Sequence, residues 1–228
     1  YLKVFAYVTP VKTNFDVFKK SGIENIYYIP FVYPVSGSAN KKPQNKNIKI
    51  ISVGKFVKRK DHLLLLNVTE RLIKDGFAVK LTLAGEIQNP EIHKTVKKYI
   101  NEHNLAKTVN IKTDIPYPEM KNEYRKHDLF VLPSRKEPAA YSVTEAAANA
   151  LPVICSDENG TSCYIENGIN GCVFKAGNEN DLYQKIKLCI TDTEKLRKMS
   201  EAALNSAKKN HNPEIFAETI TEIVKTQK

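Results

Sequence analysis

From residue 48 to residue 174, short apolar runs alternate with segments of helical periodicity, and this alternation restricts the fold more than any other feature. The predicted strands are residues 48–53, 79–84, 108–111, 129–132, 152–155 and 172–174. The predicted helices are residues 62–74, 91–103, 119–126, 142–150, 179–191, 193–210 and 213–225. Because strands that alternate with helices pair in parallel and are covered on both faces, the pattern predicts an α/β fold with a Rossmann-like, doubly wound parallel sheet.

A smaller unit precedes this alternation. Residues 2–8 and 26–32 are predicted strands, and residues 14–20 a helix capped by Asn14 or Thr13 and followed by Gly22. Residues 33–47 are rich in proline, glycine, serine, asparagine and lysine, which is typical of an exposed linker. We therefore divide the chain into a unit at 1–35, a linker at 36–47 and a larger unit at 48–228.

The composition is that of a globular protein that binds anions. The 228 residues are 42% hydrophobic and 26% charged, and the net charge is +10. Such a charge attracts phosphates, an acidic membrane surface or nucleic acid, but no aromatic stacking run or RNA-binding motif supports nucleic acid. The four cysteines lack the paired spacing of a zinc site, which favours a reducing, cytoplasmic compartment. There is no apolar run long enough to span a bilayer.

Two acidic residues follow the predicted strand 129–132. Glu137 lies in the loop after Pro133, and Glu145 lies on an alanine-rich predicted helix. Ligands bind beyond the carboxyl ends of parallel strands, so both acids are candidates for a binding site. The alternative for Glu145 is structural, because Ser142 three residues earlier completes a capping-box pattern.

Other predicted strand ends carry glycine or charged residues at the same edge. Gly54 precedes Lys55 and Lys60, and Gly85 follows the strand 79–84. Residues 112–116 and 157–160 follow two further strands. Glycine allows the backbone to approach a ligand, and the lysines are donors for a diphosphate. The alternative is a solvated basic loop that leads into a helix capped by Asp61.

Taken together with residues 124–134, 150–154 and 165–174, these motifs resemble the nucleotide-binding domain of family-four retaining glycosyltransferases, from about residue 48 to the C-terminus. The resemblance implies the C-terminal half of a GT-B glycosyltransferase, active in building a polysaccharide, glycolipid or glycoprotein glycan. Residues 1–35 resemble the end of the acceptor domain, most of which the sequence lacks. We therefore expect this chain to hold a nucleotide but not to transfer sugar by itself.

The resemblance also implies roles for individual residues. Lys55 and Lys60 would bind the donor diphosphate, and Glu137 would contact the transferred sugar. The nucleotide and the rest of the donor would contact Gly54, Gly85, Asp114, Ile115, Tyr141, Ser142, Val143 and Glu145. No metal or cofactor is expected, and each of the five scattered histidines is expected either at the surface or behind the residues that contact the ligand. The expected partners are a nucleotide sugar, with UDP preferred to GDP, and a glycan or lipid-linked acceptor.

Three departures from the family pattern bear on the donor. Pro138, Ala139 and Ala140 replace a glycine-containing segment, Thr113 stands where glycine is frequent, and Cys163 replaces a frequent glutamate. Two alternative functions remain open: a GT-B sugar-nucleotide epimerase, and a basic module that binds nucleic acid or membrane. We expect a cytoplasmic protein, with peripheral contact to an anionic membrane as a further option.

Overall fold

The structure, a computed structural model, describes residues 6–35 and 47–226. Residues 36–46 of the predicted linker and residues 2–5 of the first predicted strand lie outside the described residues. The described chain contains a two-stranded and a six-stranded sheet, and both are parallel.

The N-terminal unit consists of β1 (Tyr7–Thr9), α1 (Lys12–Lys20) and β2 (Ile26–Tyr28). The predicted caps of α1 are wrong: the helix begins earlier, and its N-cap is Val11, which is extended, buried and without a side-chain capping bond. Strand β2 also ends four residues before the predicted position at residue 32. Pro30 accounts for this early end, because proline has no N–H to donate to a strand partner.

The large sheet has the six parallel strands that the sequence predicts. Its strands are β3 (Ile48–Val53), β4 (Val79–Ala84), β5 (Val109–Lys112), β6 (Leu129–Leu132), β7 (Val153–Ser156) and β8 (Gly171–Phe174). They are ordered β5-β4-β3-β6-β7-β8, and each neighbouring pair is parallel. Every residue of β6 and β7 is buried, as expected for strands covered on both faces. The prediction of an α/β fold with a parallel sheet is therefore confirmed.

The helices of the larger unit are α2 (His62–Lys74), α3 (Pro90–Glu102), α4 (Tyr117–Tyr124), α5 (Tyr141–Ala148), α6 (Glu179–Ile190), α7 (Thr193–Asn210) and α8 (Pro213–Thr226). Successive strand residues face opposite sides, so Leu129 packs in one apolar cluster with α2 and α6, and Phe130 packs in another with α4 and α5. Helix α4 starts before the predicted residue 119, because Pro118 suits a first helical turn. Within the described chain, every helix is too short or too polar to cross a membrane.

The strand order places a topological switch at the centre of the sheet. Strands β3 and β6 are neighbours, but the chain continues from β3 toward β4 and β5 on one side and from β6 toward β7 and β8 on the other. Loops that follow β3 and β6 therefore diverge and leave a crevice at the carboxyl edge, where ligands bind in such sheets. Gly54 and Pro133 open these two loops.

The N-terminal unit rests on the large unit through partly buried polar contacts. The Tyr164 hydroxyl donates to the carbonyl of Pro10 at 2.6 Å and accepts from the amide of Phe31 at 3.1 Å. On the other side of Phe31, its carbonyl lies 2.6 Å from Nδ1 of His211, and the amide of Tyr33 donates to the His211 carbonyl at 3.0 Å. These contacts hold the start of α1 beside the carboxyl edge of the large sheet.

Candidate active site

An ion pair between Lys60 and Glu137 lies beyond the carboxyl ends of β3 and β6. Lys60 Nζ is 2.7 Å from Glu137 Oε2, and Arg59 Nε is 3.3 Å from the same oxygen. The Lys60 and Glu137 side chains are only 9% and 5% exposed. A carboxylate this deeply buried needs a charged partner, which Lys60 supplies. Two of the three predicted catalytic residues are therefore in direct contact.

The loop before α2 directs Lys60 inward. A 3₁₀ turn at Lys58–Lys60 ends at Asp61, which adopts a left-handed conformation with φ 48°. Asp61 occupies the N-cap position of α2, but its side chain makes no capping bond. The side-chain cap that belonged to the alternative interpretation of this loop is therefore absent: the Asp61 carboxylate instead lies 2.5 Å from Arg135 Nε, and the Arg135 amide donates to the Arg59 carbonyl at 2.7 Å.

The backbone of Glu137 is held by the loop after β7. Its amide donates to the Glu158 carbonyl at 3.0 Å, and its carbonyl accepts from the Gly160 amide at 2.9 Å. A β-carbon at Gly160 would lie 1.9 Å from the Pro138 carbonyl oxygen, so this approach requires glycine. The preceding residue, Lys136, has φ 47°, a strained conformation of the kind found at functional sites.

Gly54 and Gly85 have a packing role at the ends of β3 and β4. A β-carbon on Gly85 would lie 2.0 Å from the Gly54 carbonyl oxygen, and one on Gly54 would lie 2.9 Å from Lys60 Cε. The two strand ends therefore meet backbone to backbone, and the Lys60 stem crosses over Gly54. The predicted contacts of these glycines with a nucleotide stay a prediction.

Lys55 projects toward solvent at the same edge. Its Nζ lies 3.1 Å from Glu86 Oε2, and the two side chains are 51% and 62% exposed. Exposed pairs of this kind contribute little to stability and reorient easily. Lys55 is therefore available to a ligand, but it does not contact Glu137 in the structure.

Glu145 lies on α5 and is nearly buried. The Tyr124 hydroxyl donates to Glu145 Oε2 at 2.7 Å. Burial raises the pKa of Glu145, and hydrogen bonds from Tyr124 and Tyr117 lower it in part. The capping-box alternative is wrong, because α5 begins at Tyr141 without a side-chain cap and the Ser142 hydroxyl donates to the Val53 carbonyl at 3.2 Å.

Tyr124→Phe is expected to lower the free energy of unfolding by about 1–3 kcal/mol at pH 7, because a buried carboxylate loses a donor. The same loss raises the pKa of Glu145 further. A carboxyl whose pKa is raised in the folded state stabilises the fold below its unfolded pKa and loses that contribution as the pH rises. The destabilisation should therefore be larger at pH 7 than at pH 4 in urea unfolding.

Tyr183→Phe is the matched control for Tyr124→Phe. The Tyr183 hydroxyl also contacts a carboxylate, Asp75 Oδ2 at 2.5 Å, but Asp75 is exposed to solvent. Loss of this bond is expected to change stability by less than about 1 kcal/mol, with little difference between the two pH values. Equal effects of the two substitutions would contradict the interpretation of Glu145 as a buried, hydrogen-bonded acid.

The start of α5 presents backbone donors to the crevice. The amides of Tyr141 and Ser142 have no partner among the described residues, whereas the amide of Val143 donates to the Ala140 carbonyl at 3.2 Å. Two of the three predicted phosphate-binding amides are therefore unoccupied. The Tyr141 hydroxyl donates to the Val32 carbonyl, and its ring packs edge-on against Phe31 at 5.3 Å.

Asp114 and Ile115 follow β5, at the carboxyl edge but two strands from β3. Asp114 has φ 58°, so the left-handed conformation that suits glycine occurs here rather than at Thr113. Ile115 is partly buried against the apolar cluster of α4 and α5. The predicted contact of these residues with a base is compatible with this position but stays a prediction.

Three of the five histidines lie inside the protein. His62 is stacked on Phe56 with ring centroids 4.7 Å apart, and burial lowers its pKa to about 4. His127 lies between the Glu123 carbonyl and Thr82 Oγ1, at 2.8 Å from each, and His211 is also buried. The surface position expected as one option for each histidine is wrong for these three, and the other option, a place behind the ligand-contacting residues, stays a prediction. In the part of the chain that the structure describes, no three His, Cys, Asp or Glu side chains could jointly hold a metal ion.

A cleft of about 320 Å³ separates Glu137 from the N-terminal unit. It is lined by Val11, Thr13, Asn14, Lys136, Glu137, Pro138, Asp157, Glu158, Asn159, Gly160 and Ser162. Sequence reasoning did not single out Asn159, whose side-chain oxygen accepts from the amide and hydroxyl of Thr161 and whose buried Nδ2 has no partner among the described residues. It also missed Arg59 and Tyr124, which contact the two predicted acids. The run of three basic residues at 58–60 was the available signal for Arg59.

A comparison with protein families agrees with this arrangement. Residues 38–206, most of the chain, match the family described as Glycosyl transferases group 1. The chain belongs to this family. The match includes Lys60, Glu137 and Glu145.

Solved structures of glycosyltransferases share the fold. TarM from S. aureus, in complex with fondaparinux, alpha-GlcNAc-glycerol and UDP, has a TM-score of 0.82 and 22% identity over 96% of this chain and 44% of that chain. HepE from Anabaena, in complex with UDP and glucose, has a TM-score of 0.82 and 18% identity over 97% of this chain and 63% of that chain. The predicted GT-B fold is therefore confirmed.

Several curated relatives are named as glycosyltransferases. The UDP-Gal:alpha-D-GlcNAc-diphosphoundecaprenol alpha-1,3-galactosyltransferase of Escherichia coli is 30% identical over 141 residues, which are 60% of this chain and 34% of that protein. The chain spans less than half the length of the curated relatives that it matches. The activity of the whole protein is therefore a matter for proposal.

Proposed function

We propose that this chain forms the donor-binding part of a glycosyltransferase and binds a nucleotide diphosphate sugar at the carboxyl edge between β3 and β6. The observation that carries this proposal is the buried contact of Lys60 with Glu137 at 2.7 Å, directly beyond the switch point of the sheet. A cation and an acid in one crevice suit a ligand that contains both phosphates and sugar hydroxyls. UDP, present in the TarM and HepE complexes, is the preferred nucleotide.

In this proposal the chain stabilises the leaving diphosphate. Lys60 and Lys55 offset the charge that develops on the phosphate oxygens, and the free amides of Tyr141 and Ser142 add donors at a helix N-terminus. Glu137 accepts a hydrogen bond from the transferred sugar. Because its carboxylate is already paired with Lys60, Glu137 orients the sugar and does not act as a nucleophile.

We further propose that transfer proceeds with retention and without a bound metal. A phosphate oxygen of the leaving group would take the acceptor proton on the same face of the sugar, so no protein base is required. The acceptor would be a glycan or a lipid-linked glycan, the class named in the Escherichia coli relative. We also propose a cytoplasmic location. An anionic membrane would contact α3 through its exposed residues Lys94, Lys97 and Lys98.

Nucleotide binding is tested most directly by thermal unfolding with UDP, GDP and ADP, each with and without EDTA. A nucleotide present at one hundred times its Kd adds about 2.7 kcal/mol to the stability of the native state. For a domain of this size we expect Tm to rise by about 5–10 °C with UDP and EDTA to have no effect.

If no nucleotide raises Tm and RNA binds tightly, the basic-module alternative is correct. Conversion of a UDP-sugar to its epimer, followed by NMR, would indicate the epimerase instead.

A further inference from the structure

We propose that Arg59 is an oxyanion-binding residue beside Glu137, so that this site takes a substrate in which a carboxylate or phosphate lies close to a sugar hydroxyl. The inference rests on the proposed function and narrows its substrate class. It depends on the contrast between the two cations that contact Glu137.

Lys60 alone suffices as the partner of Glu137. Its ammonium group is buried and lies 2.7 Å from Oε2, a short charge-assisted hydrogen bond. Arg59 Nε lies farther away, at 3.3 Å, and the Arg59 side chain is 50% exposed. Arg59 therefore makes the longer and more exposed of the two contacts with the acid, and half of its side chain is open to solvent.

The backbone of Arg59 is anchored, but its guanidinium group is incompletely used. The Arg59 carbonyl accepts from the Arg135 amide at 2.7 Å, which ties the turn to the loop that carries Glu137. The contact with Glu137 uses Nε, and the two terminal nitrogens have no partner among the described residues. An arginine held in this way retains a planar edge of N–H donors, which matches the two oxygens of a carboxylate or phosphate.

Glu137 has an unused oxygen next to this cation. Both Lys60 and Arg59 contact Oε2, and the described residues place no donor on Oε1. Because a carboxylate oxygen accepts hydrogen bonds, Oε1 suits a hydroxyl group. One hydroxyl acceptor and one cationic edge therefore lie side by side. A uronic acid as the transferred sugar, or a phosphate-bearing acceptor, has both an anionic group for Arg59 and a hydroxyl for Glu137. A neutral hexose would contact only the Glu137 carboxylate.

The experiment measures binding to the full chain by titration calorimetry for wild type, Arg59→Gln, Arg59→Lys and Lys58→Gln. The donor arm compares UDP, UDP-glucose and UDP-glucuronic acid. The acceptor arm, at saturating UDP, compares glycerol 3-phosphate with glycerol. Lys58 is the matched control, because it lies in the same turn, is exposed and carries the same charge, and its side chain has no partner among the described residues.

We expect one anionic probe to bind wild type at least tenfold more tightly than its neutral counterpart. This preference should be lost in Arg59→Gln, partly retained in Arg59→Lys and unchanged in Lys58→Gln, while UDP affinity stays within about threefold. A preference for UDP-glucuronic acid assigns the anion to the donor, and a preference for glycerol 3-phosphate assigns it to the acceptor. If UDP binds normally but Arg59 gives no preference for either anionic probe over its neutral counterpart, the inference about Arg59 is wrong and the proposed function stands. Absence of binding by UDP and by GDP overturns the proposed function with it.

Discussion

Replacing Lys60 with methionine is expected to lower the free energy of unfolding by about 3 kcal/mol, because removal of one partner of a buried ion pair leaves the other charge poorly compensated. Methionine keeps the apolar stem that crosses Gly54, so the loss reports on the charge. Glu137 would retain only the longer contact with Arg59. Stabilisation by UDP should disappear in the same variant. Urea unfolding with and without UDP measures both effects.

A double variant separates the structural role of this pair from its role in binding. Lys60→Met combined with Glu137→Leu removes both charges, and such apolar replacements of buried pairs are often neutral or stabilising. We therefore expect stability to return to within about 1 kcal/mol of wild type while the UDP effect stays absent. Recovery of the UDP effect in the double variant would show that the pair serves folding alone.

Lys55→Met is the control for charge removal at the same edge. The pair of Lys55 with Glu86 is half-exposed, so its loss should change stability by less than about 1 kcal/mol. UDP stabilisation should weaken without disappearing, because Lys60 and the α5 amides remain. A loss of stability as large as that of Lys60→Met would contradict the assignment of Lys60 as the buried member of the site.

The large sheet was predictable because its strands are short apolar runs set between amphipathic helices. The bounds of β3, β4 and β6 agree with the prediction, since each run is mainly apolar and ends at a clear change in composition. The N-terminal unit was less predictable. The start of α1 depends on the burial of Val11 beneath the large unit, which is a tertiary contact without a local signal.

The candidate site was predictable only in part. Lys60 and Glu137 both follow predicted parallel strands, which placed them at one edge of the sheet, and the structure shows them in contact. It could not show that Tyr124, an apparently ordinary helix residue, donates to Glu145, because that contact joins two helices. The capping-box pattern at Ser142 gave a wrong prediction for the same reason, because the Ser142 hydroxyl donates to the Val53 carbonyl on β3 and not to a group on its own helix.

Gly85→Ala is expected to lower the free energy of unfolding by about 2–4 kcal/mol, the sum of overpacking and a backbone conformation that disfavours alanine. The added β-carbon would lie 2.0 Å from the Gly54 carbonyl oxygen, which is backbone and cannot rotate away. The strand ends must therefore separate, and Lys60, whose stem lies over Gly54, must move with them. UDP stabilisation should weaken as a result.

Gly76→Ala measures the conformational part of this effect without the steric part. Gly76 also has a positive φ, 85°, but a β-carbon there would meet no atom within 4 Å. Its substitution should therefore cost only the conformational term, about 1 kcal/mol, and leave the UDP effect unchanged. If the two variants lose equal stability and bind UDP equally, the contact between the ends of β3 and β4 does not control the position of Lys60. If only Gly85→Ala affects both properties, glycine at this position is required by backbone packing, and the ligand site depends on it through Gly54.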